Sequence, residues 1–214
     1  MKKPIKLIVL SLAFALFATG MLFPAGGKAS TVTCVGIYSE TSDGYVSYRE
    51  AEKTAWIVVK VGDVIPTSAE IKINVDRDWV EFVPSNNPTS VYELDGPASG
   101  EIVIKVSEIV KGKARIVSFP KGSTASVDPK YKDKLVVQQY LGRQIYVNAN
   151  GDSKDIKYGD VLDIKGKVRI IAINNTITLM NASGKVTTVI GPLNFTVEQV
   201  LKNESLYKFL NVQK

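Results

Sequence analysis

"VKVGDVIPTSAEIKI" (59–73) and "IKYGDVLDIKGKVRI" (156–170) decide how this chain of 214 residues is read, because they are one pattern written twice. Gly62-Asp63-Val64-Ile65 matches Gly159-Asp160-Val161-Leu162. Nine residues past each glycine, Ile71-Lys72-Ile73 matches Val168-Arg169-Ile170, and nine further on Val80-Glu81-Phe82 matches Ile177-Thr178-Leu179. Outward from there, "VYELDGP" (91–97) answers "VTTVIGP" (186–192), and "VSEIV" (106–110) answers "VEQVL" (197–201). Upstream, "GYVSY" (44–48) faces "GRQIY" (142–146). Duplication of a unit of about 65 residues explains all of these matches at once.

Each unit reads as β-structure. "GYVSY", "RQIYV", "AEIKINV", "KVRIIAI", "WVEFV" and "TITLM" combine β-branched and aromatic content with period-two alternation. Gly-Asp in each GDV predicts a turn feeding a strand, the glycine supplying an unusual dihedral and the aspartate a local side-chain hydrogen bond. Asn150-Gly151 in "NANGD" predicts a type I′ hairpin, in which both central residues take positive φ. Only the tail, "TVEQVLKNESLYKFLNV" (196–212), changes period. Thr196 and Gln199 there have capping-box spacing, which predicts a short terminal helix. The expected fold is mainly β: two tandem small sandwich or barrel-like modules of about six strands each, with a short C-terminal α-helix. The expected boundaries are a signal peptide at 1–29, a first module at 30–110, a linker at 111–134 and a second module with the helix at 135–214. Within the Lys-, Pro-, Gly- and Ser-rich linker, "ARIVSF" could add a strand.

The first residues carry an export signal's pattern. Lys2, Lys3 and Lys6 precede an apolar run from Leu7 to Phe23, and Gly27 and Ala29 place small residues at a cleavage site after Ala29. An uncleaved anchor is the alternative; after cleavage no membrane span is expected. The whole chain has 27 basic and 21 acidic residues, a formal charge of +6. The first 29 residues hold four lysines and no acid, so the remainder is close to neutral at +2. The one basic cluster, "KGKARIVSFPKG" (111–122), reads as linker, and nucleic acid is not an expected partner. A single cysteine excludes an internal disulfide. Cys34 reads as a buried thiol rather than a lipidation site.

Gly44, Trp56, Gly62, Asp63, Val64, Phe82, Leu94, Gly96 and Pro97 follow an order that resembles the FecR domain, a periplasmic β-rich module with an aromatic-to-VGD step and a later L-x-G-P corner. The second copy matches less well and lacks the tryptophan. The resemblance implies a periplasmic or surface module that contacts another envelope component. The family's namesake reaches a sigma factor through a cytoplasmic head, whereas only six residues precede the apolar run here, so that mode of signalling is not expected.

Few residues offer chemistry. The chain has no histidine, which excludes Ser-His-Asp and Cys-His catalysis and most zinc sites. Glu81, Glu93, Asp95 and Glu101 are the carboxylates available for an acid/base pair, but Glu81 and Glu93 alternate with apolar neighbours and read as solvent-facing. "NANGDSKD" (148–155) departs from the EF-hand pattern and reads as a hairpin turn. No enzyme activity, metal or cofactor is expected. The leading expectation is an exported bacterial envelope protein that binds a protein partner. Its contact residues would be Pro84, Ser85, Asn86, Asn87 and Pro88 in the loop where copy one is longer, Asp95 at the adjoining corner, and Tyr207 and Leu210 on a helix face shared with Val197 and Val200. The alternative is a carbohydrate or peptidoglycan-binding module using Tyr45, Tyr48 and Trp56; for the tryptophans, a role as core anchors competes with a binding platform.

Overall fold

A computed structural model describes residues 31–38, 46–51, 53–73, 78–120 and 128–202. The first half runs β1 (Thr31–Tyr38), β2 (Val46–Arg49), β3 (Ile57–Val58), β4 (Val64–Pro66), β5 (Glu70–Ile73), β6 (Trp79–Pro84), β7 (Ser90–Asp95), β8 (Ile102–Lys105) and helix α1 (Val106–Ile109). A two-residue strand, β9 (Arg115–Ile116), and a 3-10 turn at Pro129–Tyr131 follow. The second half runs β10 (Lys134–Leu141), β11 (Gln144–Val147), β12 (Ser153–Asp155), β13 (Val161–Asp163), β14 (Lys167–Ile170), β15 (Thr176–Met180), β16 (Val186–Ile190), β17 (Leu193–Thr196) and α2 (Val197–Leu201). The chain is mainly β, and the same order of elements occurs twice. Each half has eight strands rather than six, together with a helix. Among the described residues no helix is long and apolar enough to cross a membrane.

Hydrogen bonding repeats as faithfully as the order. β1 pairs with β4 and β6, and β6 with β7; β10 pairs with β13 and β15, and β15 with β16. Each half also has a four-stranded sheet, β3-β2-β5-β8 and β12-β11-β14-β17. The turn Lys60–Asp63 closes with Asp63 N–H donating to Lys60 O at 3.0 Å, and Lys157–Asp160 closes in the same way at 3.1 Å. Gly62 and Gly159 take φ of 97° and 77° in these turns, the region open chiefly to glycine. Asp63 and Asp160 each accept the backbone N–H three residues upstream, at 2.8 and 3.0 Å. The GDV stretches are therefore turn locks, as the sequence predicts. The Asn150-Gly151 turn differs from the type I′ expectation: Gly151 has φ 92° while Asn150 does not have positive φ. Asn148 explains the difference, since its side-chain oxygen accepts N–H groups from Asn150 and Asp152 and holds the loop as an Asx turn.

β1 and β10 pair with each other in parallel, Gly36 beside Tyr140 and Ile37 beside Leu141. A nine-stranded sheet results, with the nearly palindromic order β16-β15-β10-β1-β6-β7-β9 and with β4 and β13 at the sides of β1 and β10. Neighbouring residues of a strand face opposite ways, and the two cores divide accordingly. Val32, Cys34, Ile37, Val80 and Phe82 meet Val46, Ile71 and Ile73 of the first small sheet and Val106 and Ile109 of α1. Leu135, Val137, Tyr140, Ile177 and Leu179 meet Tyr146, Val168, Ile170 and Phe195, with Val197 and Val200 of α2. Val35, Tyr38, Val83 and Val91 of the first half also face this second core. The small sheets thus lie on opposite faces of the shared sheet, and β1 is buried on both.

Gly36 is required by this crossing. A Cβ there would lie 2.1 Å from Cε1 of Tyr140, whose ring crosses from the other half. Cys34, fully buried in the middle of β1, has its thiol pushed well above the usual range, first by burial. α2 carries the predicted capping box of Thr196 and Gln199. α1 has the same place in the first half, and the sequence reading did not anticipate it as a helix.

Candidate functional site

The sequence assigns the loop after β6 to partner contact, and the structure places this loop above a charged seam between the halves. Ser85, Asn87 and Thr89 are exposed, Asn86 and Pro88 are half-buried, and Pro84 and Ser90 are buried at its ends. Its conformation is held from several sides. Ser85 N–H donates to Thr31 O at 3.1 Å, and Asn87 Nδ2 donates to Ser90 Oγ at 2.9 Å. Val117 N–H donates to Thr89 O at 2.9 Å, and Tyr158 Oη of the second half donates to Pro88 O at 3.2 Å. Asp95 lies at the other end of β7, a strand of six residues, and so roughly 17–20 Å from the loop. The corner does not adjoin the loop, and the two do not form one surface patch.

Beneath the loop, Glu81 on β6 is fully buried, not solvent-facing. Alternation marks its face of β6 as the outer one, but the second half and residues 115–117 cover that face. Glu81 pairs with Arg115, whose guanidinium also donates to Tyr158 O at 2.7 Å. Tyr158 N–H donates to Glu81 at 2.9 Å. Burial raises the Glu81 carboxyl above the usual range; Arg115, the Tyr158 N–H and the Tyr140 hydroxyl oppose that rise without cancelling it. Burial, followed by the Glu81 charge, raises the phenols of Tyr140 and Tyr158 as well.

Trp79 closes the seam. Its ring stacks on Tyr38 at 3.6 Å, and its Nε1 donates to Tyr140 Oη at 2.7 Å. Lys157 Nζ lies 4.7 Å from the Trp79 ring centroid while pairing with Glu93 at 2.7 Å. Desolvation first, then Glu93 two residues before it on β7, raises the Asp95 carboxyl against the pull of Lys157. Trp79 is thus an anchor at the seam.

The proposed sugar-binding aromatics are not gathered on one face. Tyr48 packs against the first core, whereas Trp56 lies against Arg49 and Lys72, each 4.7 Å from its ring centroid. Tyr45 lies outside the described residues. Tyr207 and Leu210 also lie outside them, while Val197 and Val200, the described part of that helix face, are buried in the second core. Burial removes those two valines from any docking face.

A cleft of about 500 Å³ opens beside β17, lined by Lys167, Arg169, Ile171, Pro192, Asn194 and Gln199 among others, with no carboxylate in its wall. Among the described residues no group of three His, Cys, Asp or Glu side chains is placed to hold a metal. Sequence reasoning missed Arg115, Tyr140 and Tyr158 as partners of Glu81, and Lys157 as the partner of Glu93. A signal for them exists in the copies' differences: Glu81 stands where copy two has Thr178, and Tyr158 where copy one has Val61. Comparisons with family models, with curated proteins and with solved structures give no match for this chain.

Proposed function

We propose that the chain is a non-enzymatic, exported bacterial envelope protein, related to FecR-like modules, that contacts a protein partner through the 84–90 loop. The observation that carries this reading is the loop's bracing: it has polar, outward-facing Ser85, Asn87 and Thr89 on a backbone fixed by Thr31, Val117 and Tyr158. A preorganised loop on a rigid sheet loses little entropy when a partner docks. Glu81 and Arg115, on β6 and β9, are engaged with each other and with Tyr158, which fits a supporting role rather than a reactive one. A photo-cross-linking residue at Ser85, with one at Asp152 as a control, tests the reading in intact cells. One dominant protein adduct from position 85 and none from position 152 is the expected result. Equal, diffuse labelling from both positions would refute it.

The second reading, binding of a cell-wall glycan, draws on Trp56, whose ring lies against two cations on the first small sheet. An acidic glycan would suit that combination of stacking surface and positive charge. Retention on isolated cell wall that is lost in Trp56→Ala would favour it over the loop.

A further inference from the structure

The cleft beside β17 is built on the outward face of the second small sheet. Along β14, Lys167 and Arg169 alternate with the core residues Val168 and Ile170, so both point to solvent. On β17, Thr196 lies opposite Lys167 and the exposed Asn194 lies opposite Arg169. Gln199 also lines the cleft. Its Oε1 accepts the Thr196 N–H at 2.7 Å in the capping box, which leaves its Nε2 to donate to something else. Among the described residues neither Lys167 nor Arg169 has an ion-pair partner, and no carboxylate lines the cleft.

Duplication supplies the contrast. Lys167 stands where the first half has Glu70, and Arg169 where it has Lys72. Glu70 pairs with Arg49 and lies opposite Lys105 on β8, while Lys72 rests against the Trp56 ring. In the second half Val147 takes the place of Arg49 beside this strand, so the acid and its partner are both gone. The first face contains its own carboxylate. The second presents two cations and two side-chain amides with none.

The spacing and the walls narrow the ligand. Lys167 and Arg169 are two residues apart on one strand, so their backbones are about 6.5 Å apart, the same step as alternate residues of any extended chain. A volume of about 500 Å³ suits an organic ligand or a few residues of peptide rather than a single inorganic anion. Phe195, the aromatic residue in the lining, is 4% exposed and packs in the second core, so it offers no ring on which a sugar could stack.

We propose that this cleft binds an acidic, extended peptide segment of a protein partner. Carboxylates at alternate positions meet Lys167 and Arg169, and Asn194 and Gln199 bond the segment's main chain. The cleft shares no residue with the 84–90 loop, and the proposal does not rest on that loop's role.

Fluorescence anisotropy on the full chain tests this with a labelled Glu-Thr-Glu-Thr-Glu-Thr peptide and its Gln-for-Glu counterpart. The expected result is saturable binding of the acidic peptide, about tenfold or more tighter than that of the counterpart and weakening as salt rises. Lys167→Ala/Arg169→Ala should weaken it about tenfold or more. Lys72→Ala/Lys105→Ala, which removes the same charge from the first half, should leave it unchanged. Asn194→Asp sets a carboxylate opposite Arg169 and should also weaken binding, which covers a double variant that fails to fold. Equal affinity for the two peptides would overturn the proposal. So would equal losses in the two double variants, the mark of attraction by net charge alone. Failure to bind the acidic peptide would overturn it too, and binding of phosphatidylglycerol vesicles or polygalacturonate in its stead would assign the cleft to a lipid headgroup or an acidic glycan.

Discussion

Replacing Arg115 by methionine should cost more than any surface substitution in this protein. Glu81 is 0% exposed, whereas the Arg115 side chain is 38% exposed, so the pair is buried at one end only. Removing the guanidinium leaves the carboxylate with the Tyr158 N–H at 2.9 Å and the Tyr140 hydroxyl, and strands Tyr158 O, which loses its 2.7 Å donor. Breaking a buried pair costs about 3–5 kcal/mol. Water reaching the Arg115 end favours the lower limit, so about 3 kcal/mol is expected. With a urea dependence of about 2 kcal/mol per molar, the unfolding midpoint should fall by about 1.5 M. Tryptophan fluorescence is the suitable readout, because Trp79 stacks on Tyr38 within the seam. The double variant Glu81→Leu/Arg115→Met removes both charges and should recover part of that loss, falling between the single variant and the parent because Tyr158 N–H and O both lack their partners. A midpoint shift below about 0.5 M in Arg115→Met, or a double variant no more stable than the single one, would refute the reasoning.

Gly36→Ala should destabilise by about 1–3 kcal/mol through overpacking against the Tyr140 ring, and Tyr140→Leu in the same chain should relieve part of that loss in a urea titration. Asp63→Ala and Asp160→Ala should each cost about 1 kcal/mol, and by similar amounts, since both remove the same turn hydrogen bond; a difference above about 2 kcal/mol would mean that the turns are not equivalent. Cys34, Tyr140 and Tyr158 all have folded values raised above their usual 9.0 and 10.0. Groups raised in this way favour the folded state fully below the unfolded value, and that contribution is lost as pH rises toward the folded one. The urea midpoint should therefore hold up to about pH 9 and fall steadily above it; an unchanged midpoint at pH 11 would contradict the burial of these groups.

Strands with one solvent face were legible in the sequence, and strands with none were not. "AEIKINV" and "TITLM" alternate, and they mark β5 and β15. β1, "TVTCVGIY", and β10, "KLVVQQYL", are covered on both sides and lack a clean period of two, so the two central strands left no periodic trace. The same coverage misled the reading of Glu81, because alternation can say which face a residue takes but not what lies over that face. Two-residue strands such as β3 fall below the length at which a pattern exists. Of the candidate site, the loop was visible because copy one is longer there. Its bracing by Tyr158 and Val117 depends on contacts across 70 and 28 residues of chain, which no local window contains.

The parallel contact of Gly36 with Tyr140 joins residues 104 positions apart, at the centre of the largest sheet. During synthesis the first half emerges while the neighbour that β1 requires along the second half of its length does not yet exist. Contacts of such separation form late and slow the folding of β-rich chains. A nascent first half therefore has an unpaired stretch of β1 and an uncovered Glu81 until the second half arrives. Chaperone or partner binding in that interval would act on a surface that the finished protein no longer has.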